Sequence, residues 1–282
     1  MDVKKAIKYM LFSTLAFACM NVTVKYLKDV NTYQIVFFRS LGSLFFTFGF
    51  LIKNKIPIIG KKNTLLVLRA ITGATSMLLF FMSVKYLSVG TAVSLRYLAP
   101  IFAAIFAVIL LRERIKPLQW LFFIISFFGV LVLKGLDTQI HTTGLILVLL
   151  ASILSGLVYV IISKIGKSEH PVVIVNYFMV IATVLGGVLS IGNWVTPKGT
   201  EWLFLSSLGV FGYIGQIFMT KAFQSATTNL IAPIKYVEVI FTACLGVLLF
   251  NEIYTFWNLL GIALIIGGMV LNVWYKGRKT KN

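Results

Sequence analysis

The sequence repeats itself at an offset of 139 residues, and the correspondence between its two halves needs no gap. Identical or related residues recur at this offset: Ser13 with Ser152, Gly73 with Gly212, Arg96-Tyr97 with Lys235-Tyr236, Glu113 with Glu252, and Gly129 with Gly268. A repeat of this length has to be recognised before a fold is proposed, because each half is then one copy of the same architecture. In an apolar chain, two related halves are typical of secondary transporters.

The composition places the chain in a membrane. Hydrophobic residues make up 59% of the 282 residues, and charged residues make up only 12%. A soluble domain carries about 25% charged residues, so this chain has too few to cover a surface that faces water. Cys19 and Cys244 both lie inside apolar runs, which indicates packing residues rather than a disulfide framework. The sequence therefore predicts an integral membrane protein.

The net charge of +18 does not indicate a nucleic-acid partner. The 26 lysines and arginines stand in short clusters between apolar runs, and no basic domain outside the membrane is long enough to bind nucleic acid. Such clusters are typical of loops that face an anionic membrane surface. The partner that these basic clusters predict is therefore the lipid bilayer.

Ten apolar runs are long enough to cross a bilayer, since a span needs about 20 largely apolar residues. They cover residues 6–24, 34–52, 64–84, 88–111, 117–134, 143–163, 172–191, 202–220, 228–250 and 256–275. The repeat divides them into two sets of five, in a first unit of residues 1–136 and a second of residues 137–282. The predicted fold is all-α, with ten transmembrane helices in two five-helix repeats.

The basic residues between the spans predict the topology. With the N-terminus in the cytoplasm, 17 lysines and arginines lie on the cytoplasmic side and five on the other: Lys25, Lys28, Lys85, Lys134 and Lys198. This excess follows the positive-inside rule, so we expect both termini in the cytoplasm and the protein in the inner, cytoplasmic membrane. Because each repeat has an odd number of spans, the second half is inverted relative to the first. Inverted halves supply a geometry for alternating access.

Two further patterns concern helix packing and helix ends. Small residues at three-residue spacing recur in the third and eighth spans and predict close helix contacts: Ala70, Gly73 and Ser76 with Gly209, Gly212 and Gly215. Pro100 and Pro233 are expected to kink the fourth and ninth spans, because proline removes a backbone hydrogen bond. Glu113 and Glu252, at equivalent loop positions, are expected to cap the following helix or to pair with nearby bases.

The ends of the fourth and ninth spans carry the most specific motifs. These are Leu110-Leu111-Arg112-Glu113-Arg114-Ile115 and Leu249-Phe250-Asn251-Glu252, accompanied by Gly129-Val130-Leu131 and Gly267-Gly268-Met269-Val270. On these motifs, and over its whole length, the chain resembles EamA-type permeases of the drug/metabolite transporter superfamily. Three segments are similar to the branch that includes bacterial S-adenosylmethionine transporters, with Lys235 where arginine is usual: Phe37-Phe38-Arg39, Leu68-Arg69 and Ala232-Pro233-Ile234-Lys235-Tyr236-Val237-Glu238.

Charged residues near the middle of two spans are the first candidates for a site, because a charge at the bilayer centre costs about 2.5–3.5 kcal/mol. Arg96 and Glu238 lie closest to the midplane, and Lys235 is seven residues inside its span. Lys235 and Glu238 are three residues apart on one helix face, so mutual neutralisation is the alternative to a binding role. Arg96 has no carboxylate in its own or a nearby predicted span. Arg96 and Lys235, repeat counterparts, therefore suit a substrate carboxylate or phosphate.

Two more arginines and two tyrosines complete the candidate site. Arg39 and Arg69 lie about five residues inside their spans, so substrate binding and anchoring at the membrane interface both stay open. Tyr97 and Tyr236 adjoin the central cations and suit stacking on a substrate ring. The predicted substrate-binding residues are Arg39, Arg69, Arg96, Tyr97, Lys235, Tyr236 and Glu238.

Glu238 is the only one of the eight carboxylates placed within a span, so it is the candidate for proton coupling. Exchange against a counter-substrate is the alternative. The sequence has no Walker A loop, no His-Glu-x-x-His motif, no Gly-x-Ser-x-Gly elbow and no Cys-x-x-Cys pair. We therefore expect no enzyme activity, no catalytic residues, no cofactor and no metal site.

The predicted function is secondary transport of a small organic metabolite, anionic or zwitterionic, of nucleoside-like or amino-acid-like character, by alternating access. One alternative is efflux of drugs or lipophilic amines, although such cargo favours an acidic, aromatic pocket. The other is a membrane scaffold that transports nothing and in which the buried charges only pair. The expected partners are a small-molecule substrate, the bilayer, and a proton or counter-substrate. Monomer and homodimer both stay open.

Overall fold

The computed structural model describes residues 2–27, 29–83, 86–87, 89–134, 141–250 and 256–278. Within these ranges the chain forms helices and no strand: α1 Val3–Lys25, α2 Thr32–Lys53, α3 Asn63–Ser83, α4 Val89–Arg96, α5 Ala99–Leu111, α6 Pro117–Lys134, α7 Thr142–Ile165, α8 Pro171–Ser190, α9 Glu201–Ser225, α10 Thr228–Ile231, α11 Val237–Phe250 and α12 Phe256–Arg278. Lys28, Lys85, Glu252 and the predicted boundary between residues 136 and 137 lie outside the described residues.

Seven helices in the described ranges are long and apolar enough to cross a membrane: α1, α2, α3, α7, α8, α9 and the joined segment of α10 and α11. Three shorter apolar helices lie at residues 99–111, 117–132 and 259–275. Each of the predicted apolar runs thus contains a helix, and the chain is a multi-pass membrane protein. That ten helices cross the bilayer stays a prediction.

Two helices, α2 and α8, begin at a residue whose side chain accepts a hydrogen bond from the first turn. The side chain of Asn31 accepts a hydrogen bond from the backbone N–H of Tyr33 at the start of α2. At the start of α8, the side chain of His170 accepts from Val172, and Pro171 occupies the first turn. Both devices satisfy or remove N–H groups that have no partner within the helix. The sequence breaks at these positions therefore coincide with local stop and start signals.

Helix packing follows the 139-residue offset. α1 packs on α9 and α3 packs on α7, which are the same pair after exchange of the two halves. The same exchange relates α2–α9 to α3–α8 and α5–α7 to α1–α11, whereas α2–α8 and α6–α12 each join one helix to its own counterpart. The principal contacts of each half are thus with the other half, so the core is shared between them.

Glycines show this two-fold pattern at atomic detail between α6 and α12. A β-carbon added to Gly129 would lie 2.7 Å from the carbonyl oxygen of Gly261. A β-carbon added to Gly268 would lie 2.7 Å from the carbonyl oxygen of Phe122. Gly129 and Gly268 correspond in the repeat, as do Phe122 and Gly261, so the two contacts are equivalent. The glycines allow backbone approach too close for any side chain.

The fourth and ninth apolar runs are interrupted in the middle. α4 ends at Arg96, and α5 begins at Ala99 with Pro100 in its first turn. In the second half, α10 ends at Ile231, and a 3₁₀ segment that contains Pro233 leads to α11. At each predicted kink the α-helix is thus interrupted, by a two-residue turn in the fourth run and by the 3₁₀ segment in the ninth, and we call these interruptions the helix breaks. Breaks of this kind occur at the substrate sites of many secondary transporters.

Glu113 joins the two halves at one end of the bundle. Its Oε1 accepts the backbone N–H of Thr228 at 2.8 Å, and its Oε2 accepts that of Asn229 at 3.1 Å. The side chain of Asn229 donates in turn to the carbonyl oxygen of Arg114 at 3.3 Å. Glu113 thus caps a helix as expected, but the helix is α10 in the other half and not the following α6. The correct partner is distant in sequence and close only after the halves pack.

The small-residue stripe of α9 lies against α2 and α1, as close packing predicts. Gly209 approaches Gly42 so closely that a β-carbon on either would lie within 3 Å of the other's Cα, and the hydroxyl of Ser43 donates to the carbonyl oxygen of Gly209 at 2.8 Å. A β-carbon on Gly215 would lie 2.8 Å from the ring of Phe17. Any added side chain would therefore separate the helices.

The α2–α9 contact predicts that Gly42→Leu destabilises the protein by about 1–3 kcal/mol, because the new side chain would overlap backbone that cannot move away. Gly49→Leu is the matched control on the same helix, since nothing lies within 4 Å of a β-carbon there. The melting temperature of each purified variant in detergent measures the effect. Equal melting temperatures for the two variants would contradict the packing described here.

The Glu113 cap predicts a graded loss of stability. Glu113→Ala leaves two backbone N–H groups of α10 without an acceptor and is expected to cost about 1–2 kcal/mol. Glu113→Gln keeps one acceptor oxygen and should lose about half as much. Glu201→Ala is the control, because Glu201 accepts only a local N–H, from Lys198. If Glu113→Ala and Glu201→Ala lowered the melting temperature by the same amount, the result would contradict a cap that joins the halves.

Candidate substrate-binding site

The two helix breaks meet at a pair of tyrosines. Tyr97 follows α4, Tyr236 precedes α11, and their ring centroids lie 6.1 Å apart. Because Tyr97 and Tyr236 are counterparts in the repeat, their contact joins equivalent positions of the two halves. Both tyrosines are buried, and the hydroxyl of Tyr236 has no hydrogen-bond partner among the described residues. The predicted aromatic pair therefore marks the centre of the candidate site.

Lys235 and Glu238 form an ion pair beside this centre. The Nζ of Lys235 lies 2.5 Å from Oε2 of Glu238, as their spacing predicts. The other carboxylate oxygen accepts a hydrogen bond from Nδ2 of Asn21 at 3.0 Å. The Lys235 ammonium also lies 4.3 Å from the ring centroid of Phe17. α1 thus contributes Asn21 and Phe17 to the site, and the charges of Lys235 and Glu238 neutralise each other.

Arg96, the last residue of α4, is held by an aromatic ring and not by a carboxylate. The central carbon of its guanidinium lies 4.3 Å from the ring centroid of Phe80. In the described part of the chain it forms no ion pair, and its side chain is only partly buried. A cation over a ring is stabilised while its N–H groups stay available at the guanidinium edge. Arg96 therefore stays a candidate for binding an anion.

Arg39 projects from α2 into the protein interior, where it is 7% exposed. Its Nη1 lies 2.9 Å from the sulfur of Met77, which is a weak acceptor. Its Nε has no partner among the described residues. A β-carbon at Gly212 would lie 3.2 Å from this Nε, so the glycine makes room for the guanidinium.

Arg69 projects inward from α3 and is 1% exposed. Its Nη2 donates to Oε1 of Gln216 at 2.9 Å, and its guanidinium lies 4.2 Å from the ring centroid of Phe178. Nε and Nη1 have no partner within the described ranges. Both Arg39 and Arg69 thus contact interior atoms of neighbouring helices. Gln216 and Phe178 did not stand out in the sequence, because neither a single glutamine nor a phenylalanine is unusual in a span.

Electrostatic interactions connect the charged residues across the site. Arg39 is repelled by Arg96 and attracted by Glu238, and Arg69 is repelled by Arg39. The structure therefore places Arg39 within electrostatic range of Arg96 and of the Glu238 carboxylate, and Arg69 within range of Arg39. Three guanidiniums in the described site have no carboxylate partner, and an unpaired buried charge is costly. An anionic ligand would relieve that cost.

The described residues contain no group of three His, Cys, Asp or Glu side chains that could hold a metal ion. The absence of a metal site and of a cofactor stays a prediction. The side chains that the site does offer are cations, aromatic rings, an amide and one paired carboxylate. Such a set suits non-covalent binding of an organic anion.

The Lys235–Glu238 pair predicts that Glu238→Gln lowers stability by about 3–5 kcal/mol, because the lysine would stay buried without its partner. The double variant Lys235→Met with Glu238→Gln should recover most of this loss, since it removes both charges. Melting temperatures of the single and double variants in detergent measure the coupling. Additive losses would show that the two residues do not stabilise each other.

Comparisons with known proteins identify the family. The EamA-like transporter family matches residues 4–134 and again residues 142–274. Solute carrier family 35 member G1 from Homo sapiens is 29% identical over 96% of this chain and 80% of its own length. The pseudopaline exporter CntI from Pseudomonas aeruginosa is 25% identical over 96% of this chain and 94% of its own. The S-adenosylmethionine uptake transporter from Rickettsia felis is 25% identical over 92% and 89%.

A solved crystal structure shares the fold, with a TM-score of 0.88 over 99% of both chains at 15% sequence identity. Identity at that level shows the architecture alone. The family match is more specific, because it covers both halves of the chain separately and leaves only short segments unmatched. This chain is a member of the EamA-like transporter family, within the drug/metabolite transporter superfamily.

Proposed function

We propose that the protein is a secondary transporter that carries a small organic metabolite, anionic or zwitterionic, through the membrane by alternating access. The observation that carries this proposal is the excess of buried positive charge inside the helix bundle. Arg39, Arg69 and Arg96 have no carboxylate partner among the described residues, Glu238 is already paired with Lys235, and two of the three arginines are almost fully buried. A substrate with a carboxylate or phosphate would supply the missing negative charge.

The family supports transport of a small molecule. Its relatives include a pseudopaline exporter and an S-adenosylmethionine uptake transporter, so both directions of transport occur among proteins similar to this one. We assign the substrate class from the site and not from these names. The cationic site disfavours lipophilic amines, since a cation would enter against three arginines. It also disfavours a scaffold, because unpaired buried charges only destabilise a protein that binds nothing.

The two-fold packing supports the alternating-access mechanism. In this proposal residues 1–136 and 137–282 are inverted five-helix repeats, and ten spans place both termini in the cytoplasm of a cell whose inner membrane holds the protein. Because equivalent helix pairs recur under exchange of the halves, the bundle has two related ways to pack around the tyrosine pair. Each packing would open the site to a different side.

Glu238 is the residue that would couple transport to a proton, if protons drive it. Its two oxygens already bind Lys235 and Asn21, so protonation would break the ion pair and leave the lysine unbalanced. We therefore favour exchange against a counter-substrate over proton coupling. No step of this proposal makes or breaks a covalent bond, and we assign no enzyme activity.

Transport assays in proteoliposomes test the function. Vesicles preloaded with pooled amino acids, nucleotides or organic acids should show saturable counterflow for at least one anionic or zwitterionic pool. Arg96→Ala should reduce this flux at least about tenfold, equivalent to about 1.4 kcal/mol of lost binding or transition-state stabilisation. Arg114→Ala, an exposed loop arginine, is the matched control and should leave the flux unchanged.

Two results would contradict the proposal. Saturable flux confined to lipophilic amines would favour the efflux alternative. The absence of saturable flux for every pool, with correctly folded protein, would favour a scaffold. Flux that survives Arg96→Ala undiminished would remove Arg96 from the site.

A further inference from the structure

We propose that Arg39, Arg69 and Gln216 form an oxyanion subsite that binds a dianionic group of the substrate, either a phosphate monoester or a pair of carboxylates. This inference rests on the proposed function, since it defines which anions the transporter carries. It also assigns a role to Gln216, a residue that neither its type nor its repeat position singles out.

The subsite is built along one face of α9. Gly212 faces Arg39, and Gln216 faces Arg69, so α9 presents one position to each arginine. These two positions are four residues apart, about 6 Å along the helix axis. Two guanidiniums thus reach the same helix one turn apart, from α2 and from α3, and in this proposal one doubly charged group bridges them.

The donors of the subsite are buried and unsatisfied. Nε of Arg39 and both Nε and Nη1 of Arg69 are shielded from solvent and have no partner among the described residues. Arg39 otherwise contacts a thioether sulfur, which accepts hydrogen bonds weakly. Because arginine can only donate, Gln216 must present its oxygen to Arg69, and its amide N–H₂ is then a further donor. The subsite therefore offers donors and lacks acceptors.

The charge balance favours two negative charges. Lys235 is neutralised by Glu238, so it adds no net charge to the site. Arg39 and Arg69 contribute two positive charges and repel each other. A monoanion would leave one of them unbalanced, whereas a dianion balances both and can accept from two planar guanidiniums at once. Arg96, which repels Arg39 but takes part in neither of the two contacts with α9, stays available for a separate group of the substrate.

The repeat explains why there is one such subsite in the described residues. The counterpart of Gln216 is Met77, and the counterpart of Arg39 is Phe178. Met77 contacts Arg39 through sulfur, whereas Gln216 contacts Arg69 through an amide. At this pair of equivalent positions, the first half thus has an apolar side chain, Met77, and the second half has a polar one, Gln216. Gln216→Met makes the pair alike and retains nearly the same volume.

The test measures anion binding to the full-length protein in detergent at constant ionic strength. Glycerol 3-phosphate and succinate are the dianionic probes, and acetate and chloride are the monoanionic ones. At least one dianion should raise the melting temperature saturably, and the monoanions should not. The phosphate ester and the dicarboxylate are separate arms, so the better of the two identifies the source of the dianionic charge.

Variants locate the binding in the subsite. Arg39→Lys and Arg69→Lys keep the charge but lose the planar donors, and each should abolish the dianion-dependent shift. Gln216→Met should weaken dianion binding about tenfold. It also removes the acceptor of Arg69 Nη2 and should lower the melting temperature without ligand, so each dianion-dependent shift is measured from the variant's own ligand-free value. Ser206→Met places the same side chain on the exposed face of α9 and should change neither quantity.

The outcomes separate this inference from the proposed function. No shift with either dianion, or a shift that survives both Arg69→Lys and Gln216→Met, would overturn the subsite. Saturable transport of a solute with no dianionic group would overturn the subsite and leave transport standing. A dianion shift lost in these variants, without flux in proteoliposomes, would support the subsite and overturn transport.

Discussion

The cost of placing charge in a membrane protein governs this structure. A guanidinium stays protonated under all conditions that a cell provides, so Arg39 and Arg69 bring fixed positive charge into the bundle. Neighbouring residues accommodate these charges through a ring, an amide and a thioether, and through glycines that leave room for the side chains. These neighbouring residues do not neutralise the two guanidinium charges. The architecture around the helix breaks is therefore stable only to the extent that packing elsewhere offsets this cost.

Much of the fold could be predicted from the sequence, because the relevant signals are local or periodic. Apolar runs coincide with helices, the offset of 139 residues coincides with the helix pairing, and Pro100 and Pro233 coincide with the breaks. The Lys235–Glu238 pair follows from a spacing on one helix. Each of these depends on residues a few positions apart or on the comparison of one half with the other.

The missed features depend on contacts between distant helices. Nothing in the sequence near Glu113 shows that it would cap α10, since its partners are more than a hundred residues away. Asn21 and Gln216 are ordinary polar residues in spans until the bundle places them against Glu238 and Arg69. Whether an arginine reaches lipid headgroups or the interior is likewise decided by the neighbouring helix. The number of residues between Arg39 or Arg69 and the end of its span therefore left both environments open.

The interleaved packing has a consequence for biogenesis. Helices α1, α2 and α3 find their main partners among α7, α8 and α9, which are synthesised later. During that interval Arg39 and Arg69 lack Gly212 and Gln216, two of the residues that surround them in the folded bundle. The first half is therefore synthesised before its buried charges have their final contacts. Those contacts are complete only once α9 has been made.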